Sequence, residues 1–215
     1  MKTKTPFLNP IMCFLIIFTL FVIPITSMDS VKATSAKVGL LVDSPIDDNG
    51  WAQLAYEGLV RAETDLGITK AVYVSGGDPS EHSAAVDACL AAGNDLCIGV
   101  GWGFSDPITT AASSNPSIKF AILDQGVGDT PPANLRGVRF KEKEVAYLAG
   151  ALAGKMTISN KVGAIGGMAI PVVVDFLDGY ENGAQCANPS LNVLKQYTGN
   201  FNNPGDGAAA AETMI

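Results

Sequence analysis

The chain alternates between two hydrophobic periods. Short, largely apolar runs occupy residues 37–42, 71–74, 96–100, 118–123, 135–140, 161–165 and 191–197, and each predicts a β-strand. Between them, apolar residues recur at steps of three and four. In the first such segment Trp51, Leu54, Ala55, Leu59, Ala62 and Leu66 fall on one helical face, and Gly67 marks its end. Ser80 is placed to cap a second helix running to about Ala92, which Gly93 closes. Further helices are expected over residues 106–113, 145–156 and 172–186, with an Ala-rich one beginning near Asp206.

Strands that are apolar throughout and alternate with helices predict an α/β fold with a parallel sheet covered on both faces. The expected organisation is a first α/β lobe over residues 37–140 and the start of a second over 141–215. The second region has only two strands, few for an independent sheet, and residues 207–215 carry no helix-terminating signal, so the sequence reads as incomplete at its C-terminus. In open sheets of this kind ligands bind outside the carboxyl ends of the strands. Asp43, the Gly101-Trp102-Gly103 loop, Asp124 and the Gly166-Gly167 loop all fall at such ends.

The N-terminus changes the compartment. Lys2 and Lys4 precede an almost unbroken apolar run over residues 11–25, then a polar stretch with small residues suited to cleavage near Ala33 or Ala36. The run is short for about 30 Å of hydrocarbon, which favours a removed export signal (residues 1–33) over a membrane anchor. Cys13 lies inside the run and no cysteine follows at the cleavage region, so the usual lipid-anchor position is empty. The net charge of −7 becomes −9 without the leader, and no run of basic residues exists, which excludes a nucleic-acid partner. Cys89 and Cys97 are able to pair in an oxidising compartment; the plainer reading, preferred on sequence alone, makes both small buried hydrophobes. A single histidine, His82, assigned to a peripheral helix, argues against a zinc site or a His-based triad.

Three motifs invite chemistry. Gly99-Val100-Gly101-Trp102-Gly103 follows a strand and precedes a helix, as a dinucleotide loop does, but the third fingerprint position is Phe104, the strand is the third rather than the first, and Trp102 would crowd a pyrophosphate. Asp43, Asp47 and Asp48 crowd one loop before a helix; Asp48 reads as a cap, whereas Asp43 at the strand end is placed to accept hydrogen bonds from a ligand. Trp51 and Trp102 sit at strand-end loops, where an indole either joins the core or stacks on a planar ring.

These residues resemble a known family, the basic membrane protein family of ABC-transporter substrate-binding proteins, which includes purine nucleoside receptors. Its opening segment is similar to Val42-Asp43 through Gly58-Leu59, with Asp48, Gln53, Glu57 and Gly58 matching and Trp51 standing where the family has Phe. Ile98 to Trp102 resembles its G-x-G-F loop, Phe120 to Asp124 its F-A-x-x-D strand, and Phe140, Glu142 and Ala146 to Gly150 its F-x-E-x-x-x-x-Y-L-A-G run. Gly163 to Gly167, Pro171, Phe176, Gly179-Tyr180 and Gly183-Ala184 follow in order. Asn49-Gly50 replaces Lys-Ser, and Ala52 replaces Asn. The resemblance implies a periplasmic-binding-protein-like fold: two doubly wound parallel-sheet lobes, the second incomplete here, with a nucleoside-like ligand in the cleft. It implies that Asp43 hydrogen-bonds the ligand, that Trp51 replaces a stacking Phe, that Asp106 adds a contact, and that the second lobe's ribose contacts lie past Ile215.

The expected function is therefore an exported solute receptor, periplasmic or extracellular, that gives a small ligand to a membrane permease. No cofactor, metal or catalytic residue is expected. The candidate ligand-binding set is Asp43, Asp48, Asn49, Trp51, Gly101, Trp102, Asp106, Asp124, Gly167 and Met168. The alternatives are a sensor on the same fold and an α/β enzyme acting on a nucleoside; an enzyme needs a nucleophile, an acid–base pair or a metal set at the strand ends, where the sequence offers only carboxylates.

Overall fold

The computed structural model describes residues 35–201 and 203–214. The export signal expected over residues 1–33 lies outside the described residues.

β1 (Lys37–Val42), β2 (Thr69–Val74), β3 (Leu96–Val100), β4 (Lys119–Leu123) and β5 (Leu135–Val138) form one sheet in the order β2-β1-β3-β4-β5. Every pair is parallel, with Leu41 opposite Gly99 and Gly99 opposite Ile122 at its centre. The chain winds outward one way from β1 to β2 and the other way from β3 to β5. Helices therefore cover both faces, and a crevice opens where β1 and β3 part. Under α1 (Trp51–Leu66) lie Val38, Leu40, Val42 and Val100, packed on Ala52 and Leu59. Under α2 (Pro79–Ala91) and α3 (Ser105–Ser114) lie Leu41, Cys97, Phe120, Ile122 and Leu135, packed on Val86, Phe104 and Ile108. Full burial of side chains such as Phe104 and Ile108 contributes about 1.5–3 kcal/mol each.

The glycines of the Gly99–Gly103 motif have packing and turn roles. A Cβ on Gly99 would strike Ile108 and come within 2.7 Å of Phe104 Cβ. Gly101, at φ +93°, turns the chain from β3 into a short 3-10 turn (Trp102–Phe104), a conformation that L side chains rarely adopt.

Four expectations are corrected. The inner stripe of α1 keeps Ala55 and Leu59 of the expected face but adds Ala52 and Tyr56, while Trp51, Leu54 and Leu66 are exposed. The phase is set at the helix start, where the Asp48 carboxylate takes the amides of Gly50, Ala52 and Gln53 and turns Trp51 outward. α2 begins at Pro79 after Asp78, not at Ser80; proline suits a first-turn position that needs no N–H. Cys89 and Cys97 are joined in a disulfide, Cα to Cα 6.4 Å, with both residues fully buried. The C-terminal end of α2 descends onto the start of β3, so spacing and burial act together rather than as alternatives. His82 is buried rather than peripheral.

α4 (Glu142–Met156) starts three residues before its apolar run because Glu142 folds back to accept the Phe140 amide (3.1 Å). β6 (Lys161–Gly166) and β7 (Asn192–Tyr197) form a two-stranded parallel sheet, with α5 (Pro171–Ala187) between them and α6 (Pro204–Glu212) after. α4 and α5 interlock backbone to backbone: a Cβ on Gly150 would overlap the Tyr180 carbonyl, and one on Gly183 the Tyr147 carbonyl. The outer face of α4, with Val145, Leu148, Leu152 and Met156, is solvent-exposed.

Candidate functional site, a cavity at the strand ends

The carboxyl ends of β1, β3 and β4 face the loops after β6 and β7 across a cavity of about 630 Å³, a size suited to a small molecule. Asp43 lies just past the end of β1, Gly101 and Trp102 past β3, and Asp124 past β4; Trp51 is the first residue of α1. Met168, Val172 and Phe176 line the opposite wall with Phe201. Trp51 is 41% exposed and Trp102 44%, so neither indole is in the core. Trp51 meets Phe140 with the two rings nearly perpendicular, centroids 6.3 Å apart.

Asp124 adopts φ +60°, held by its amide donating to the Val138 carbonyl at 2.7 Å. Burial, then the neighbouring Glu142 carboxylate, pushes its carboxyl up to about 6, with Arg139 opposing. Glu142 is itself 4% exposed and lies 3.5 Å from Arg139, which also pairs with Asp175 of α5 at 2.6 Å. Lys143 pairs with the same Asp175 at 3.0 Å. Lys143 and Arg139 together hold the Asp175 carboxyl below its ordinary range.

The remaining expected residues go elsewhere. Asp48 is occupied as a helix cap. Despite partial desolvation, the amides of Gln53, Ala52 and Gly50 and the Ser44 hydroxyl hold its carboxyl below the usual range. Asn49, at φ +53°, donates its amide to Gln53 Oε1 at 3.1 Å and closes the same loop. Gly167 backs the Phe201 ring, which a Cβ there would strike. Asp106 does not line the cavity; it points into a separate groove of about 520 Å³ between α2 and α3. That groove runs along the helical flank and adjoins the cavity at Gly77, His82, Trp102 and Gly103.

The cavity also takes in residues outside the expected set, among them Phe201 and His82. Phe201 sits after β7 in a loop without apolar periodicity; the rule that drew attention to aromatics at strand ends applies to it equally. His82 reaches the cavity from α2, its ring edge-on to Phe104 (4.7 Å) and over the bare Cα of Gly103, where a Cβ would come within 2.6 Å. Among the described residues no group of three or more His, Cys, Asp or Glu is placed to hold a metal ion. Ser44 directs its hydroxyl to Asp48 at 3.1 Å, not to His82. Carboxylates, an imidazole and aromatic faces around a preformed cavity are equipment for binding.

A doubly wound α/β fold with aromatic and acidic side chains at its strand ends is shared with solved solute-binding proteins. A solved ABC transporter solute-binding protein from Aeropyrum pernix K1 has the same fold, at TM-score 0.72 and 27% identity, over 83% of this chain and 52% of that one. The family model for PnrA-like ABC transporter substrate-binding proteins matches residues 35–215, and the chain belongs to that family. Basic membrane protein D of Borreliella burgdorferi is 35% identical over 198 residues, 91% of this chain and 57% of that protein. The ABC transporter nucleoside-binding protein BmpA of Lactococcus lactis is 31% identical over 185 residues, 84% of this chain and 52% of that protein. The chain thus spans between half and three fifths of the length of these relatives. The family is one of binding proteins, not enzymes.

Proposed function

We propose that this chain is the ligand-binding part of an exported receptor that delivers a nucleoside-like solute to an ABC-type permease, working outside the cytoplasmic membrane. The observation that carries the reading is the convergence of Asp43, Trp51, Trp102 and Asp124 on one cavity, opposite Phe176 and Phe201. Aromatic walls suit a planar base, since stacking is worth about 1–3 kcal/mol per base in nucleic-acid-binding proteins. Ionised carboxylates suit the N–H and O–H donors of a base or sugar. The nucleoside-binding relative in Lactococcus lactis supports the same ligand class. In this reading Trp51 stacks on the base and Asp43 and Asp124 accept its hydrogen bonds.

The test is titration calorimetry on the full-length protein with a panel of nucleosides, sugars and amino acids. Saturable binding of a nucleoside is expected. Tight binding of a sugar or amino acid with every nucleoside silent would replace the ligand class.

A further inference from the structure

We infer that His82 is a positioning residue of the cavity, which orients the Asp43 carboxylate toward the ligand. The inference rests on the reading of the cavity as a ligand site. His82 is 4% exposed, and its Nε2 is buried without a hydrogen-bond partner. A buried polar nitrogen left unpaired is costly and uncommon. The ring is fixed by Phe104 at its edge and by Gly103 beneath it, so it has little freedom to seek another partner. Nε2 stands 3.9 Å from Asp43 Oδ2, about 0.7 Å beyond the outer limit of an N–H···O bond.

The Asp43 side chain is the one able to close that gap, being 38% exposed and at the free end of β1. While the cavity is open, water satisfies its oxygens. A ligand that covers Asp43 removes that water and leaves Oδ2 in need of a donor, which the Nε2–H tautomer of His82 supplies. Oδ1 is then presented to the ligand in one orientation. Other carboxylates stand near the ring's surroundings: Asp124 in the cavity, and Asp87 and Asp106 along the groove that His82 also borders. The 3.9 Å approach is to Asp43.

The experiment compares wild type, His82→Leu and His82→Gln in the full-length protein, titrated with a nucleoside that wild type binds. His82→Leu, which keeps apolar bulk without a donor, is expected to weaken binding about tenfold. His82→Gln, which carries an N–H donor at similar reach, is expected to recover most of the loss. Leu binding as tightly as wild type overturns the inference, as does Gln failing alongside Leu while both melt like wild type, since packing alone would then explain the loss. Nitrogen-15 NMR of the His82 ring gives an answer that needs neither variant to fold. The ring signal is assigned by through-bond correlation to the His82 backbone. The Nε2–H tautomer, with slowed proton exchange on adding ligand, is expected; a ring protonated only at Nδ1 overturns the inference. If wild type binds no nucleoside, the nucleoside reading falls, while the tautomer still decides whether His82 donates to Asp43.

Discussion

Asp124 and Glu142 bring their carboxyl groups together at the edge of the cavity, one at the end of β4 and the other in the first turn of α4. Burial, and the Glu142 charge after it, raise Asp124 from 3.8 to about 6. Between those values the folded protein holds a proton that the unfolded chain has released. Asp124 therefore favours the fold most below about pH 4, and this contribution is lost as pH rises through 6. Asp124→Asn is expected to flatten that part of the stability profile and to raise the melting temperature of the ligand-free protein at pH 7.5. Melting curves from pH 4.5 to 8 check this; identical slopes in wild type and variant would contradict it.

The same shift sets the pH dependence of binding. If Asp124 accepts a ligand hydrogen bond, it must be ionised, and with a pKa of about 6 only about a tenth of the protein qualifies at pH 5. Nucleoside affinity is expected to fall about tenfold between pH 7.5 and 5, and calorimetry at the two pH values measures it. Affinity that is flat over that range would remove Asp124 from the ligand's acceptors.

Trp51→Ala and Asp43→Ala are each expected to weaken nucleoside binding about tenfold or more. Neither residue is buried, so the melting temperature should change little. Titration beside thermal melting separates the effects, and a variant that melts early without losing affinity would assign that residue to the fold.

The Cys89–Cys97 bridge closes a short loop between α2 and β3 in the buried core. Replacing both cysteines with alanine is expected to cost about 2–3 kcal/mol by the loop-closure argument alone. Denaturant unfolding with and without a reductant reads the difference; coincident midpoints for wild type in both conditions would show that the bridge adds nothing.

Two glycine substitutions should move stability in opposite directions. Gly58 lies on the exposed side of α1 with nothing within 4 Å of a new Cβ, and Gly58→Ala is expected to stabilise by about 0.5–1 kcal/mol. Gly150→Ala drives a methyl into the Tyr180 carbonyl and is expected to destabilise by about 1–3 kcal/mol or more. Chemical denaturation of both variants decides, and equal midpoints would contradict the described α4–α5 contact.

The fold was legible because continuous apolar strands and helical periods are local patterns, and their alternation leaves few architectures. The strand-end rule singled out Asp43, the Gly101-Trp102-Gly103 loop and Asp124, which line the cavity; Trp51, which also lines it, was left open between core and ligand. What escaped was set by rotation and by distant partners. The phase of α1 depends on how Asp48 gathers the first amides. Asp106 follows Trp102 closely in sequence, yet lies one residue into α3 and faces its flank. His82 is four positions beyond Asp78 in an otherwise polar stretch, and only the missing side chain of Gly103 lets it reach inward. The cysteine spacing allowed a bridge, but only the descent of α2 onto β3 completes it.

The glycine seam between α4 and α5 makes those helices a single stiff lever. Contact there is backbone on backbone, so side-chain rotation cannot absorb a push. Phe176 and Val172 touch the cavity from one side of this lever, and Leu148 and Leu152 present its outer side to solvent. The spacing between Phe176 at the cavity and the exposed ridge of Leu148 and Leu152 is therefore set by the two backbones, with no room for a side chain at Gly150 or Gly183 to alter it.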